Sequence, residues 1–328
     1  MAPAFVKAAR SAHRGGPATV AGVKQLPSPT VNLMRAYVRH APVGPGRAPL
    51  LRNVLNPALR DYPRRLTALT RFGARMRLDT RDLIQRYVYL FGVWEPHLTR
   101  WVAGALRPGD TFVDVGANIG YFSLLAASRV GPTGHVVALE ASAAVHRRLT
   151  EHSDLNGYGA VIRAVNAAVS DKRETLHFVL ASSQNIGANS IVPYDGPAES
   201  TFEMTAQPLG ELLQPDEVRS ARIIKVDVEG AEGAVVRGMA GLLDQLRPDA
   251  EVAIEVSPDR MAALGEDAED LMATFRRHGF HPYRLVNSYD PGDYPEAIRQ
   301  PMVPTRWHGP VTEESELVFS RVDTERLG

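Results

Sequence analysis

Acidic residues in this sequence recur where short apolar runs end. Asp114 lies in the run FVDV, directly before a glycine turn, and Glu140 ends the run VVALE. Asp227 and Glu229 follow Lys225 in the run IIKVDVEGAE. Carboxylates in such places can bind a ribose diol, attract a cationic group or remove a proton from a hydroxyl. The three runs therefore predict a site for a nucleotide-like cofactor.

The turn after Asp114 indicates which cofactor this is. Gly116 and Gly120 permit a tight turn and close approach to a ligand, and the helix that follows points its positive N-terminal dipole into the same space. A dinucleotide fingerprint would read G-x-G-x-x-G, whereas this turn reads G-x-N-x-G. Asn118 fills the approach to a pyrophosphate, and Asp114 repels a diphosphate but attracts a cationic amino acid group. The pattern favours S-adenosylmethionine over NAD, with Glu140 on the ribose diol.

The run IIKVDVEGAE is the predicted catalytic segment. Strand alternation places Lys225, Asp227 and Glu229 on one side at the carboxyl end of a sheet, where ligands bind in open α/β folds. Methyl transfer needs alignment of the reacting groups, and a hydroxyl acceptor also needs its proton removed. Asp227 or Glu229 can serve as that base, with Lys225 neutralising one carboxylate. In the alternative, Asp227 holds the methionine ammonium and Glu229 or a histidine is the base.

The same edge of the sheet could also bind a metal ion. Asp227, Glu229 and Glu232 offer the oxygen ligands that Mg²⁺ prefers. No companion Asp-Asn pair follows a neighbouring strand, so no metal is predicted. Glu255, which closes the run EVAIEV, is instead predicted to face the substrate.

Several blocks in order resemble the FkbM-type S-adenosylmethionine-dependent methyltransferases. They are YLFGVWEP, FVDVGANIGYFSL, VVALEASAAVHRRLTEHSDLNG, AAVSD and IIKVDVEGAE, and the resemblance runs from about residue 79 to about residue 284. It implies O-methylation of a hydroxyl on a sugar, polyketide or other secondary metabolite. N- or carboxyl-methylation of a peptide or carrier-bound acceptor stays open. A non-catalytic cofactor-binding scaffold and a dehydrogenase are alternatives that the acids at the strand ends and Asn118 disfavour.

Further contacts are assigned from their place in this fold class. Asn166 and Ala167 follow the third strand, where the adenine is bound, and Ala117 belongs to the glycine turn. Tyr121, at the helix start, and Glu95, beside Trp94, are predicted to cover the methionine end. Asn189 and Ser190 lie in a long polar loop where the family builds substrate contacts.

Alternating strands and helices predict a Rossmann-like class I methyltransferase fold, an α/β doubly wound, mostly parallel sheet. A C-terminal antiparallel hairpin is expected from the resemblance. The predicted strands are 111–115, 135–140, 160–165, 222–228, 250–256, 280–286 and 316–322, and the predicted helices are 119–129, 142–155, 231–246 and 267–278.

Composition sets the remaining bounds. The 328 residues suit one catalytic domain with an appendage: a basic extension over 1–70, a helical lead-in over 71–107 and a catalytic domain over 108–328. The absence of cysteine excludes disulfides, thiolate zinc sites and cysteine nucleophiles. Because no signal peptide or long apolar run is evident, a soluble, cytoplasmic protein is expected.

Charge is unevenly distributed along the chain. Residues 1–107 contain 18 Lys and Arg against four Asp and Glu, while the rest contains 19 against 33. This predicts that the basic extension docks onto the acidic domain of its own chain or of a second copy in a homodimer. An anionic partner is the alternative, but nucleic acid is disfavoured because the arginines are not interleaved with stacking aromatics. About 30 N-terminal residues are expected to be disordered, and prolines should interrupt helices up to residue 63.

Overall fold

A computed structural model describes residues 26–40, 46–180, 189–190 and 200–328. Its central sheet has eight strands in the order β13-β12-β14-β11-β10-β3-β4-β5. The strands of the chain are β1 Arg65–Leu69, β2 Arg75–Asp79, β3 Thr111–Val115, β4 His135–Leu139, β5 Ile162–Val165, β6 Ala168–Val169, β7 Glu174–Leu180, β8 Asn189–Ser190, β9 Ser200–Gln207, β10 Ala221–Val226, β11 Glu251–Val256, β12 His281–Leu285, β13 Thr305–Arg306 and β14 Ser315–Ser320.

Helices pack against both faces of this sheet. They are α1 Ser28–His40, α2 Arg47–Leu50, α3 Asn56–Asp61, α4 Leu83–Phe91, α5 Pro96–Ala105, α6 Tyr121–Val130, α7 Ala143–Leu155, α8 Leu209–Leu212, α9 Pro215–Ser220, α10 Glu232–Leu243, α11 Pro258–Ala263, α12 Ala268–Arg277 and α13 Tyr294–Arg299. None of the described helices is long and apolar enough to cross a membrane.

The sheet is doubly wound, as the sequence predicts. Strands β5, β4, β3, β10 and β11 are parallel; β14 pairs antiparallel with β11, and β12 pairs antiparallel with β14. Alternate residues of each strand enter two separate cores: Val113 packs with helices α10 and α12, while Phe112 packs with α4, α5 and α6. The Rossmann-like class I methyltransferase fold is therefore confirmed.

The N-terminal region contains helices, although its prolines were expected to interrupt them. Helix α1 begins at Ser28, within the stretch expected to be disordered, and a π-helix over Leu51–Leu55 joins α2 to α3. Pro57 occupies the first turn of α3, where its missing N–H is tolerated, and the wider π turn before it changes the hydrogen-bond register. The preceding residues, 1–25, lie outside the described part of the chain.

Three arginines, two on helix α1 and one in the turn between β1 and β2, bind the C-terminal end of helix α4. Arg35 Nε donates to the Tyr89 carbonyl at 2.6 Å, Arg39 Nε donates to the Leu90 carbonyl at 2.8 Å, and Arg71 Nε donates to the Phe91 carbonyl at 3.0 Å. These carbonyls lie at the negative end of the helix dipole, where cations are stabilising. Much of the basic charge thus binds backbone rather than acidic side chains.

A smaller sheet inserts between β5 and β10. Its order is β6-β9-β7-β8, and stacked Phe178 and Phe202 lie in its small core. This sheet places Leu176 and Phe178 of β7 beside the carboxyl ends of β4 and β10. It therefore forms one wall of the site described next.

Candidate functional site

The glycine turn after β3 packs closely against the backbone at the end of β10. Gly116 has φ of 80°, and a Cβ there would lie 1.8 Å from the carbonyl oxygen of Asp227. The Gly116 and Ala117 N–H groups both donate to the Leu139 carbonyl. Glycine is thus required at 116 by the packing of β3 against the end of β10, before any ligand is considered.

Glu140 is fixed by backbone donors on both sides. The Asn118 N–H donates to Oε2 at 2.9 Å, and the Ser142 N–H donates to Oε1 at 2.8 Å. Burial raises the pKa of this carboxyl to about 7, although these hydrogen bonds oppose the rise. Glu140 is therefore held in one orientation at the end of β4.

A cleft at the carboxyl ends of β3, β4 and β10, here called the cofactor cleft, is lined by four of the ten predicted cofactor residues. Its lining combines polar and apolar groups: Gly116, Asn118, Glu140, Ala167, Asp227 and Glu229 with Ile84, Val145, Leu176 and Phe178. Beneath it, buried Asp114 accepts from Ser123 Oγ at 2.6 Å through Oδ2, while its Oδ1 has no hydrogen-bond partner among the described residues.

This donor set fits S-adenosylmethionine. Apolar side chains suit an adenine, Glu140 is a fixed acceptor for a ribose diol, and Asp114 supplies negative charge for a cationic amino acid group. The orphaned Oδ1 of Asp114 is the kind of buried acceptor that a ligand or an ordered water satisfies. The residues that line the cleft therefore fit S-adenosylmethionine.

Register places the remaining charges in two rows on one face of the sheet. Lys225 pairs with Asp114 across β10 and β3. Two positions further along, Glu255 of β11 stands directly opposite Glu316 of β14, next to Asp227. Ligand atoms of Asp227, Glu229 and Glu255 all lie within 4.8 Å of one another.

Lys225 is the buried cation at the centre of these rows. Its Nζ lies 2.9 Å from Asp227 Oδ2, and only 3% of the residue is exposed. Burial disfavours the ammonium, but Asp227, Asp114, Glu95 and Glu316 outweigh it and raise the pKa of Lys225 above its ordinary value. Lys225 therefore stays charged and compensates part of the acidic cluster.

Tyr289 closes the cluster from above, and the sequence did not indicate it. Its hydroxyl lies 2.9 Å from Glu95 Oε1 and 3.1 Å from Glu255 Oε1, and its ring stacks on Trp94 with centroids 5.3 Å apart. Burial raises the pKa of Glu95 to about 7 and that of Glu255 well above its ordinary value. The Glu95 backbone has φ of 41°, which turns this side chain towards the sheet from the start of α5.

Glu229 is ion-paired outside these rows. Arg260 of α11 contacts its Oε2 and also binds Glu314 Oε2 at 2.6 Å. Glu229 has φ of 58°, so it departs from the strand geometry that predicted its direction. The placement leaves Asp227 as the acid that adjoins both Lys225 and Glu255.

The other predicted residues have different surroundings. Tyr121 is buried with its hydroxyl 3.2 Å from Thr99 Oγ1, and Gly120, with φ of 88°, caps α6. Asn166 donates to the Glu140 and Ala141 carbonyls, so its amide braces that backbone. Glu232 is fully buried and accepts from the Gly230 N–H, away from the Asp227 cluster.

Two further predictions fall at the limits of the described structure. Asn189 and Ser190 form β8 beside Leu180 and Val179, and their side chains lie outside the described part, as do residues 185–188. Among the described residues, no histidine lines the cofactor cleft or the cleft next to it.

A second cleft adjoins the cofactor cleft at Glu255 and Tyr289. It is lined by β11, β12 and β14, by the residues after β11 and β12, and by the residues just before β14. Eight of the 17 lining residues are charged: Glu255, Asp259, Asp290, Glu313, Glu314 and Glu316 with Arg260 and Arg284. Asp227 and Glu229 thus stand where a cofactor cleft meets a cleft large enough for another molecule.

The sheet is doubly wound, with a glycine turn after β3, a fixed carboxylate after β4 and an acidic cluster after β10. This combination defines a Rossmann-like S-adenosylmethionine-dependent methyltransferase. The sequence model of the methyltransferase FkbM domain matches residues 114–282, more than half of the chain. The chain therefore belongs to the FkbM methyltransferase family, and its cofactor is S-adenosylmethionine.

Individual proteins show similarity of limited extent. AMB antimetabolite synthetase AmbE of Pseudomonas aeruginosa is 28% identical over 54% of this chain and 10% of its own length. Hexuronic acid methyltransferase AglP of Haloferax volcanii is 29% identical over 53% of this chain and 68% of its own. The crystal structure of methyltransferase FkbM from Methylobacillus flagellatus shares 15% identity with a TM-score of 0.35, covering 72% of this chain and 52% of that one. This chain thus spans about a tenth of AmbE and about two thirds of AglP.

Proposed function

We propose that this protein transfers a methyl group from S-adenosylmethionine to a hydroxyl of a sugar, polyketide or other secondary metabolite. The observation that supports this most is the position of Asp227, Glu229 and Glu255, whose oxygens converge where the cofactor cleft meets the second cleft. A hydroxyl acceptor needs a base there, whereas a carboxylate acceptor would bring another negative charge to a cleft already rich in acids.

Binding is assigned to residues around the cofactor cleft. Glu140 would hold the ribose diol, Gly116, Ala117, Asn118, Gly120 and Ala167 would form the backbone wall, and Asp114 with Glu95 would supply negative charge near the methionine end. The sulfonium of the bound cofactor supplies the electrophilic methyl group. The chain's own task is to align the acceptor hydroxyl and exclude water.

Asp227 is the general base in this proposal. Its Oδ2 accepts from Lys225, so the proton of the acceptor hydroxyl would pass to Oδ1 while Lys225 fixes the carboxylate's orientation. Glu229, which the sequence offered equally, is bound by Arg260 and would instead position that arginine at the second cleft. No metal is required by this assignment.

Paired variants test the roles of the two acids. Asp227→Asn should lower kcat by about 10²–10⁴-fold, whereas Glu229→Gln should lower it less, because only Asp227 accepts the proton. Both should bind S-adenosylhomocysteine within a few fold of the wild-type protein. Release of S-adenosylhomocysteine with a panel of sugar and polyketide alcohols measures turnover, and calorimetric titration in EDTA measures cofactor affinity, with NAD in parallel.

Three outcomes would contradict the proposal. Full turnover in Asp227→Asn would remove Asp227 as the base. Binding of NAD rather than S-adenosylhomocysteine would contradict methyl transfer. Methylation of amines or carboxylates, with no alcohol accepted, would redirect the function to the N- or carboxyl-methylation that the sequence left open.

A further inference from the structure

The second cleft has more carboxyl groups than the described cations beside it can pair with. Burial raises the pKa of Glu255 and Glu316 well above the ordinary value, so a cation is needed to keep these two carboxyl groups charged. Lys225, the buried cation, lies against Asp227. Tyr289 has a single hydroxyl proton for Glu95 and Glu255, so it donates to only one of them at a time. Both arginines of the cleft already pair with acids, Arg260 with Glu229 and Glu314 and Arg284 with Glu313.

Glu316 shows most directly that a partner is missing. It is 7% exposed, lines the second cleft, and its Oε1 has no hydrogen-bond partner among the described residues. Register places it directly opposite Glu255, and like charges in that position destabilise an antiparallel pair. Buried Glu316 and half-buried Glu255, facing each other, need a proton or a cation between them.

We infer that the second cleft binds an acceptor with a protonated amine, whose ammonium is received between Glu255 and Glu316 while its hydroxyl reaches Asp227. This rests on the proposed function and names its substrate class: an amino alcohol, such as an amino sugar or a hydroxylated amine. Each N–H of the ammonium can be directed at a carboxylate oxygen or at the Tyr289 hydroxyl.

The charges of this cleft differ from those expected of a cleft that binds an acidic sugar. A carboxylate on the acceptor would meet Glu255, Glu316 and Glu314 with no described arginine unpaired to receive it. A neutral polyol could hydrogen-bond the acids but would leave their charges uncompensated in the cleft. Cationic acceptors are therefore selected by attraction, and anionic acceptors are rejected by repulsion.

Three probes with one carbon skeleton test this selectivity. 3-Amino-1,2-propanediol, glycerol and glycerate differ by an ammonium, a hydroxyl and a carboxylate at one end, and each is titrated by ligand-observed NMR with and without S-adenosylhomocysteine. The amine should bind about ten- to a hundredfold more tightly than glycerol, because charge-assisted hydrogen bonds are added. Glycerate should bind more weakly than glycerol.

Variants assign the preference to the proposed pair. Glu316→Gln and Glu255→Gln keep the side-chain shape and should remove most of the amine preference, while the exposed acid variant Glu269→Gln should retain it. Thermal unfolding of Glu316→Gln should occur at or above the wild-type temperature, because one of two facing acids is removed. This checks that the lost preference does not reflect a lost fold.

Wild-type protein that binds the amine no better than glycerol would overturn the inference, as would a preference that survives in Glu316→Gln. Mg²⁺ titrated in parallel would also overturn it if the ion bound through Glu316 and displaced the amine, because the pair would then be a metal site. Failure to bind S-adenosylhomocysteine would count against the proposed function alone, since probe selectivity is also measured without it.

Discussion

The Glu140 side chain is fixed in orientation before a ligand binds. Its two oxygens accept from the N–H groups of Asn118 and Ser142, which belong to the ends of two different strands. The carboxylate therefore does not need to be ordered when a ribose binds, and less entropy is lost on binding.

Removing this carboxylate should weaken cofactor binding. We expect Glu140→Ala to reduce the affinity for S-adenosylhomocysteine by about 1.5–3 kcal/mol, the range for a hydrogen bond to a charged group. Calorimetric titration measures the change, with Glu151→Ala, an exposed acid on α7, as the matched control. An affinity equal to that of the control would remove Glu140 from the ribose contact.

The sequence predicted the acids that follow parallel strands but not their partners. Asp114 lies within an apolar run near its end, Glu140 and Asp227 end or follow one, and parallel strands bring their carboxyl ends to one edge whatever the register. Glu316 and Tyr289 reach the same place only through the antiparallel register of β14 and a loop after β12. No spacing in the sequence encodes that register, so the acidic pair was not predictable.

At the scale of elements, several arginines of the basic N-terminal region cap the end of a helix. Arg39 alone donates to the carbonyls of Val88, Tyr89 and Leu90 at the end of α4. Burial lowers the pKa of Arg39 to about 10, which still leaves it charged at neutral pH. The sequence predicted docking of the basic region onto the acidic domain, and Arg52 does pair there with Asp290 and Asp293. Arg39 instead binds a helix terminus, which has no sequence signature.

Loss of this cap should destabilise the protein. We expect Arg39→Met to lower the free energy of unfolding by about 2–3 kcal/mol, because carbonyls buried under α1 lose a charged donor. Urea unfolding measures this, with Arg100→Met as the control, since Arg100 is an exposed arginine of the neighbouring helix α5. Equal stability of the two variants would show that the cap contributes nothing.

Proline positions explain why the N-terminal helices were missed. Pro29 and Pro57 occupy first turns, where a helix has no need of their N–H groups. A count of prolines treats them as helix breakers, whereas their effect depends on where each helix starts. The strands of the core were predicted better because alternation and apolar runs mark them directly.

The whole molecule buries more acids than bases at one face of its sheet. Burial raises the pKa of both Glu95 and Glu140 to about 7, from an ordinary value of 4.5. Between those values the folded protein binds more protons than the unfolded chain does. The free energy of unfolding should therefore be greatest below about pH 4.5 for these groups and fall as pH rises to about 7.

Glu95→Gln tests this dependence because glutamine does not titrate. We expect the variant to lose less stability than the wild type between pH 5 and pH 8, as measured by urea unfolding without cofactor. Groups with lowered pKa values, such as Glu217, act with the opposite sign but at pH below their ordinary value of 4.5. Parallel pH profiles for the two proteins would show that Glu95 does not titrate in this range.

In the part of the chain that the structure describes, three residues other than glycine have positive φ, namely Glu95, Asn118 and Glu229, and all three adjoin the two clefts. Glycine at any of them would relax the backbone by about 1 kcal/mol or more. Directed evolution that selects only for heat resistance would thus find easy gains at these positions and would discard the side chains that line the site. A thermostable variant is best sought by fixing these three residues and randomising elsewhere.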